Sequence, residues 1–215
     1  MASPRLAALT SAPLTVAPGR RLPQLAIGLW LYGTSMALQI RGGLGLAPWD
    51  VLHEGLTKRT GLSFGTITVI VGALVLLCWI PLRQRPGVGT VLNVVLIGVA
   101  VDATLAFLPT PTDLLPRILL LTSGIVLNAL AAAIYIGARL GPGPRDGLTT
   151  GFCARTGTSL RLVRTVIEVA VLAGGWLLGG TLGIGTVLYA LAIGPLTQAF
   201  LPRLTWTEVS PRPAS

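Results

Sequence analysis

The sequence predicts an all-α polytopic membrane protein: six transmembrane helices forming two three-helix inverted repeats, each with a short re-entrant or interfacial helix. Three observations carry this prediction. Of 215 residues, 52% are hydrophobic and 11% are charged, whereas soluble domains carry about 25% charged residues. Six stretches stay apolar over the roughly 17–25 residues that a bilayer core of about 30 Å requires. Finally, residues 45–63 (GLAPWDVLHEGLTKRTGLS) recur as residues 141–159 (GPGPRDGLTTGFCARTGTS) at an offset of 96 without a gap, with nine of nineteen positions identical. An internal repeat of this kind fixes the architecture before any single element is read.

The elements follow in order. Residues 1–21 hold Pro13 and Pro18 and no sustained apolar run, which reads as a disordered cytoplasmic tail rather than a signal peptide. The expected spans are 22–40, 64–82, 88–108, 117–138, 162–180 and 183–201. They group into a first repeat over 22–109 and a second over 117–202, with a C-terminal tail over 203–215. Pro81, Pro109, Pro116 and Pro202 mark span ends, where proline is tolerated. With the N-terminus in the cytoplasm, twelve of the sixteen Arg and Lys residues fall on the inner side, as the positive-inside rule requires. Both termini are then cytoplasmic. Three spans per repeat is an odd number, so the second copy enters the bilayer from the opposite side, the arrangement of many transporters and channels.

The repeated motif has its own physical logic. Arg41-Gly42-Gly43-Leu44-Gly45-Leu46-Ala47 is too glycine-rich to be helical, since each Gly costs about 1 kcal/mol in a helix. Pro48 suits the first helical position, and Asp50 sits in the first turn, where the helix dipole favours a carboxylate. Lys58 and Arg59 occupy the last turn, Gly61 fits the left-handed position beyond it, and Ser63 can cap the next helix. The second copy repeats Pro144, Asp146, Arg155, Gly157 and Ser159 in these roles. A helix over 48–60 is about 18–20 Å long, too short to span. Preceded by an extended limb it describes a re-entrant loop, which needs protein or a wet cavity around it. The other reading is an amphipathic helix lying on the membrane surface. Asp50, His53, Glu54, Thr57 and Lys58 share one face of it. Gly55 and Gly151 lie on the other face and allow close helix approach.

These segments carry a resemblance. GLGLAPWDVL, followed by TG-S-G and then by PGVGTVLN with a later Gly and Asp, resembles the YczE/YitT-type family of bacterial integral membrane proteins over about residues 24–202. The resemblance implies a polytopic protein of the bacterial cytoplasmic membrane, in a family largely without an assigned biochemical activity. One branch is linked to secondary-metabolite production in bacilli. The second copy departs from the motif, with Arg145 where the first has Trp49.

The candidate solute-binding residues are Pro48, Asp50, His53, Glu54, Asp102, Pro144, Asp146 and Thr149. Two helix N-termini present free backbone N–H groups that favour an anion, while the adjacent aspartates favour a cation or proton, so the sign of the solute stays open. Asp102 falls inside the third span, where a carboxylate is costly and therefore a functional candidate. Its structural alternative is a hydrogen bond to Asn93, Arg41 or a motif helix. Glu168 reads as an i,i+4 partner of Arg164. His53, Asp50 and Glu54 lack the further ligand that a zinc site needs, so neither metal nor cofactor is expected. No nucleophile–base constellation points to an enzyme. The formal charge of +9 comes from arginines spread between apolar segments, not the clustered basic face of a nucleic-acid binder. The expected function is a small secondary transporter or permeation protein with its site between the two motifs. The alternative is a non-transporting helper that assembles or stabilises another membrane complex. The expected partners are the lipid bilayer and a small solute, with a homo-oligomer or a partner membrane complex left open.

Overall fold

The computed structural model describes residues 12–206, which form eight helices and, among the described residues, no strand. They are α1 (Pro18–Gly42), α2 (Pro48–Thr60), α3 (Phe64–Leu82), α4 (Val88–Phe107), α5 (Leu114–Gly137), α6 (Pro144–Thr156), α7 (Leu160–Leu177) and α8 (Ile184–Leu204). The starts of α5 to α8 lie 96 residues after those of α1 to α4, so the sequence offset is also a structural register. Residues 1–11 and 207–215, which fall within the expected tails over 1–21 and 203–215, lie outside the described residues.

Local chemistry sets the short helices. α2 and α6 each begin on a proline and end at a glycine with positive φ, 75° at Gly61 and 69° at Gly157. Ser63 and Ser159 then accept from the backbone N–H groups of Thr66 and Leu162, capping α3 and α7.

The two copies grip each other through equivalent contacts. Arg21 donates to the carbonyls of Ala138 and Arg139 at 2.8 and 2.9 Å. Its equivalent Arg117 donates to those of Gly42 and Gly43, both at 2.9 Å. Each arginine sits near the N-terminus of its helix and satisfies carbonyls at the C-terminus of the other, so α1 and α5 run antiparallel. The glycine limb before each short helix is held the same way. Gly89 N–H donates to Leu140 O at 2.9 Å, and Gly185 N–H donates to Leu44 O at 2.8 Å. In each copy the Gly-x-Gly-Thr segment thus binds the limb of the other, and the absence of side chains allows the approach.

Side-chain volume is exchanged between equivalent contacts. Where α3 meets α6, Trp79 packs on Gly147; where α7 meets α2, Gly175 packs on Val51 and Leu52. Positions 79 and 175 are equivalent, as are 51 and 147, so large faces small in both, as close packing demands.

The structure corrects one sequence expectation. α1 begins at Pro18 and buries Arg21 completely, so the stretch before residue 22 is not all tail. Arg21 also donates to the carbonyls of Pro13, Val16 and Ala12; a buried guanidinium with this many acceptors orders the chain around it. Trp49 and Trp79 are buried. The Trp79 indole N–H reaches Pro144 O at 3.0 Å. Of the six expected spans, four are long and apolar enough to cross a bilayer: α3, α4, α5 and α8. α1 is the central helix and buries Ser35 and Gln39 besides Arg21, while α7 carries Arg161, Arg164 and Glu168. Those polar residues lower the hydropathy of both.

Candidate functional site

α2 and α6 meet at their N-termini. Trp49 and Arg145, equivalent positions in the two copies, are in direct contact, with the guanidinium carbon 5.5 Å from the indole centroid. The Arg145 guanidinium also donates to the Tyr32 hydroxyl at 3.1 Å. Tyr32 and Tyr135 stack edge to face with centroids 5.9 Å apart. Asn128 donates to the Ser35 hydroxyl at 2.8 Å and accepts from the Tyr189 hydroxyl at 3.0 Å. The result is a polar centre inside an otherwise apolar bundle. A cavity of about 40 Å³ beside it is lined by residues of both motifs, Trp49 and His53 from the first and Pro144 and Arg145 from the second. That is room for about one water.

The predicted site residues divide into two groups. Pro48, Asp50, His53, Pro144, Asp146 and Thr149 belong to the N-terminal halves of the two short helices. Asp50 and His53 are buried and face each other, Oδ1 to Nδ1, at 3.5 Å, and His53 stacks edge-on against Phe64. Thr149 is buried and turns back to the Arg145 carbonyl at 3.0 Å. Asp146 is exposed, with the Tyr135 hydroxyl and the amide of Asn93 nearby. Glu54 and Asp102 lie elsewhere. Glu54 accepts from the N–H and hydroxyl of Thr181 at 2.5 and 3.0 Å and pairs with Lys58 at 2.9 Å, latching the C-terminal half of α2 to the α7–α8 turn. Asp102 accepts from Ser63 Oγ at 2.5 Å and from Gly65 N–H at 2.7 Å. It caps α3, and neither Asn93 nor Arg41 is its partner. Arg164 and Glu168 pair as expected, at 2.9 Å. Among the described residues, no group of three or more His, Cys, Asp or Glu is placed to hold a metal.

Sequence reading missed Tyr32, Tyr135, Tyr189, Asn93 and Arg145 as members of this centre. The signal was present. At the offset of 96, each of the three tyrosines pairs with an amide: Tyr32 with Asn128, Tyr135 with Gln39 and Tyr189 with Asn93. The polarity of the position is kept while the residue is exchanged.

The family described as "Family of unknown function (DUF6198)" matches residues 19–202, a range that covers α2 to α7 whole and both short helices. The chain belongs to the DUF6198 family. It is 39% identical to an "Uncharacterized protein" of Haemophilus influenzae over 177 residues, 82% of this chain and 81% of that protein. It is 35% identical over 178 residues to the "Uncharacterized membrane protein YczE" of Bacillus subtilis, covering 82% and 83% of the two chains. The "Uncharacterized protein YyaS" of Bacillus subtilis is 28% identical over 180 residues, 82% of this chain and 90% of the other. No solved structure matches. The chain is thus a DUF6198 membrane protein whose polar centre lies within the matched region.

Proposed function

We propose that this chain is a small secondary transporter or permeation protein of the bacterial cytoplasmic membrane, and that its solute passes the centre where α2 and α6 meet. The observation that supports this most is the Trp49–Arg145 contact: two equivalent helix N-termini converge in a buried polar setting. Inverted repeats place their solute sites at such convergences of half-helices. In this reading α1 and α7 also cross the membrane, giving six spans with both termini cytoplasmic. The polar residues that lower the hydropathy of α1, namely Arg21, Ser35 and Gln39, are buried in the protein interior. The two copies then have opposite orientation, for which the antiparallel α1–α5 clamp is the support. No chemical transformation is part of this role. The helper role keeps one supporting observation, an apolar groove of about 720 Å³ lined by residues from Leu108 to Val126 on the outer surface.

Uptake and efflux in proteoliposomes across a panel of metabolites and ions tests the proposal. Flux of at least one solute that falls in Arg145→Ala, with the protein still folded, is the expected result. Absence of flux across the panel, together with co-purification of a membrane complex that is lost when Leu119 is replaced by Arg, favours the helper.

A further inference from the structure

The two repeats differ in one contact. In the first, α3 and α4 are closed on each other. A Cβ on Gly65 would overlap the Gly98 carbonyl oxygen, and one on Gly98 would lie 2.6 Å from Val69 Cγ2. Asp102 locks the same junction. In the second repeat the equivalents of Gly65, Gly72 and Asp102 are Arg161, Glu168 and Gln198. Only Gly194 keeps its glycine, and its missing Cβ would meet nothing within 4 Å. α7 packs on α2 and α6, α8 packs on α5, and α7 and α8 stand apart. Because any side chain at the Gly65 position excludes the closed junction, Arg161 holds the second repeat open.

This difference reaches the centre. Asp50, behind the closed junction, is 3% exposed; Asp146, its equivalent behind the open one, is exposed. We propose that the α7–α8 gap is a lateral portal through which a lipophilic monovalent cation, such as an amphipathic amine, enters from the bilayer and places its charge against Asp146. The proposal rests on the preceding reading for the role of Asp146 as a solute contact, and it adds the solute's class and route.

The charge balance selects a cation. Glu168 is paired with Arg164 at 2.9 Å, and Arg145 is held by Tyr32 and Trp49. Asp146 is in none of the three ion pairs among the described residues, although Arg145 and Arg164 both lie close enough to act on it; counted with Asp50 and Glu168, three carboxylates stand against two guanidinium groups. Tyr135 and Tyr189 bring aromatic rings to the same centre, a setting that favours organic cations. The route is apolar outside and polar inside. Val166 and Val169 on α7 and Val187 and Leu191 on α8 are exposed, suited to a tail that stays among lipid chains. Glu168 lies about 12 Å along α7 from Leu160 at 1.5 Å per residue, which carries polar lining to depth.

Binding of tetraphenylphosphonium to the full chain in phosphatidylcholine nanodiscs tests the portal, with tetramethylammonium as a competitor that does not enter lipid. The wild-type chain is expected to bind tetraphenylphosphonium without displacement by equimolar tetramethylammonium. Asp146→Asn should weaken binding about tenfold or more, as loss of an ionic contact does. Gly194→Trp, placed in open space, should weaken it as much with an unchanged melting temperature. Wild-type affinity in either variant, efficient competition by tetramethylammonium, or no binding at all overturns the portal. Flux of a water-soluble solute without tetraphenylphosphonium binding overturns the portal alone. Binding without flux of any solute leaves the portal and removes the transport reading.

Discussion

Gly55 and Gly151 occupy the same place in the two short helices, yet the structure predicts unequal costs for replacing them. A Cβ on Gly55 would lie 2.6 Å from the Gly175 carbonyl oxygen and 2.8 Å from Leu178 Cβ. Neither can yield alone, because Gly175 O accepts from Gly180 N–H at 2.8 Å and the same turn is latched by Glu54 and Thr181. α7 must shift as a unit. A Cβ on Gly151 would instead meet Gln84 Cγ at 2.7 Å, and a half-buried glutamine can change rotamer. Gly55→Ala should therefore cost the ~1–3 kcal/mol typical of overpacking, while Gly151→Ala should cost less than about 1 kcal/mol. At about 2–4 °C per kcal/mol for a chain of this size, the melting temperature should fall by about 2–12 °C for the first and by less than about 4 °C for the second. Tryptophan-fluorescence melts in detergent measure both. Equal shifts, or an unchanged Gly55→Ala melt, refute the packing argument.

Trp79→Phe should destabilise by about 1–3 kcal/mol, because the buried Pro144 carbonyl loses its indole donor; Trp176→Phe, at an exposed site, should leave the same melt within about 0.5 kcal/mol. Asp102→Asn should cost about 0.5–2 kcal/mol as a weakened helix cap, with flux per folded molecule unchanged; abolished flux in a stable variant would return Asp102 to the site. A double-mutant cycle on Trp49 and Arg145, read by thermal stability, should give a coupling of about 0.5–2 kcal/mol, and zero coupling would remove the contact from the account.

The short helices were legible in the sequence because their ends are set locally, by Pro48 and Gly61 and by Pro144 and Gly157. Their convergence was legible in outline from the repetition itself. The start of α1 was not, because its first turn is polar and is ordered by Arg21 reaching carbonyls near residue 138, far along the chain. Glu54 and Asp102 lie apart from the centre for a related reason. A carboxylate in an apolar stretch signals that it must be satisfied, and backbone donors at Gly65 and Thr181 satisfy it as well as a solute would. The Tyr–amide exchange escaped notice because an offset search rewards identity, whereas these positions keep only polarity. The unequal α3–α4 and α7–α8 junctions rest on Gly65 against Arg161. That difference acquires meaning only once α3 and α4 are known to touch.

The central claim is that the two copies are inverted, with helix N-termini meeting at the centre and C-termini at opposite faces. Two-sided cysteine accessibility tests it most directly. With Cys78 and Cys153 replaced by Ser, single cysteines at Lys58 and Arg155 are probed with a membrane-impermeant maleimide in intact cells and in inverted vesicles. The account predicts that Lys58→Cys reacts only from outside and Arg155→Cys only from the cytoplasmic side. Reaction of both from the same side contradicts it.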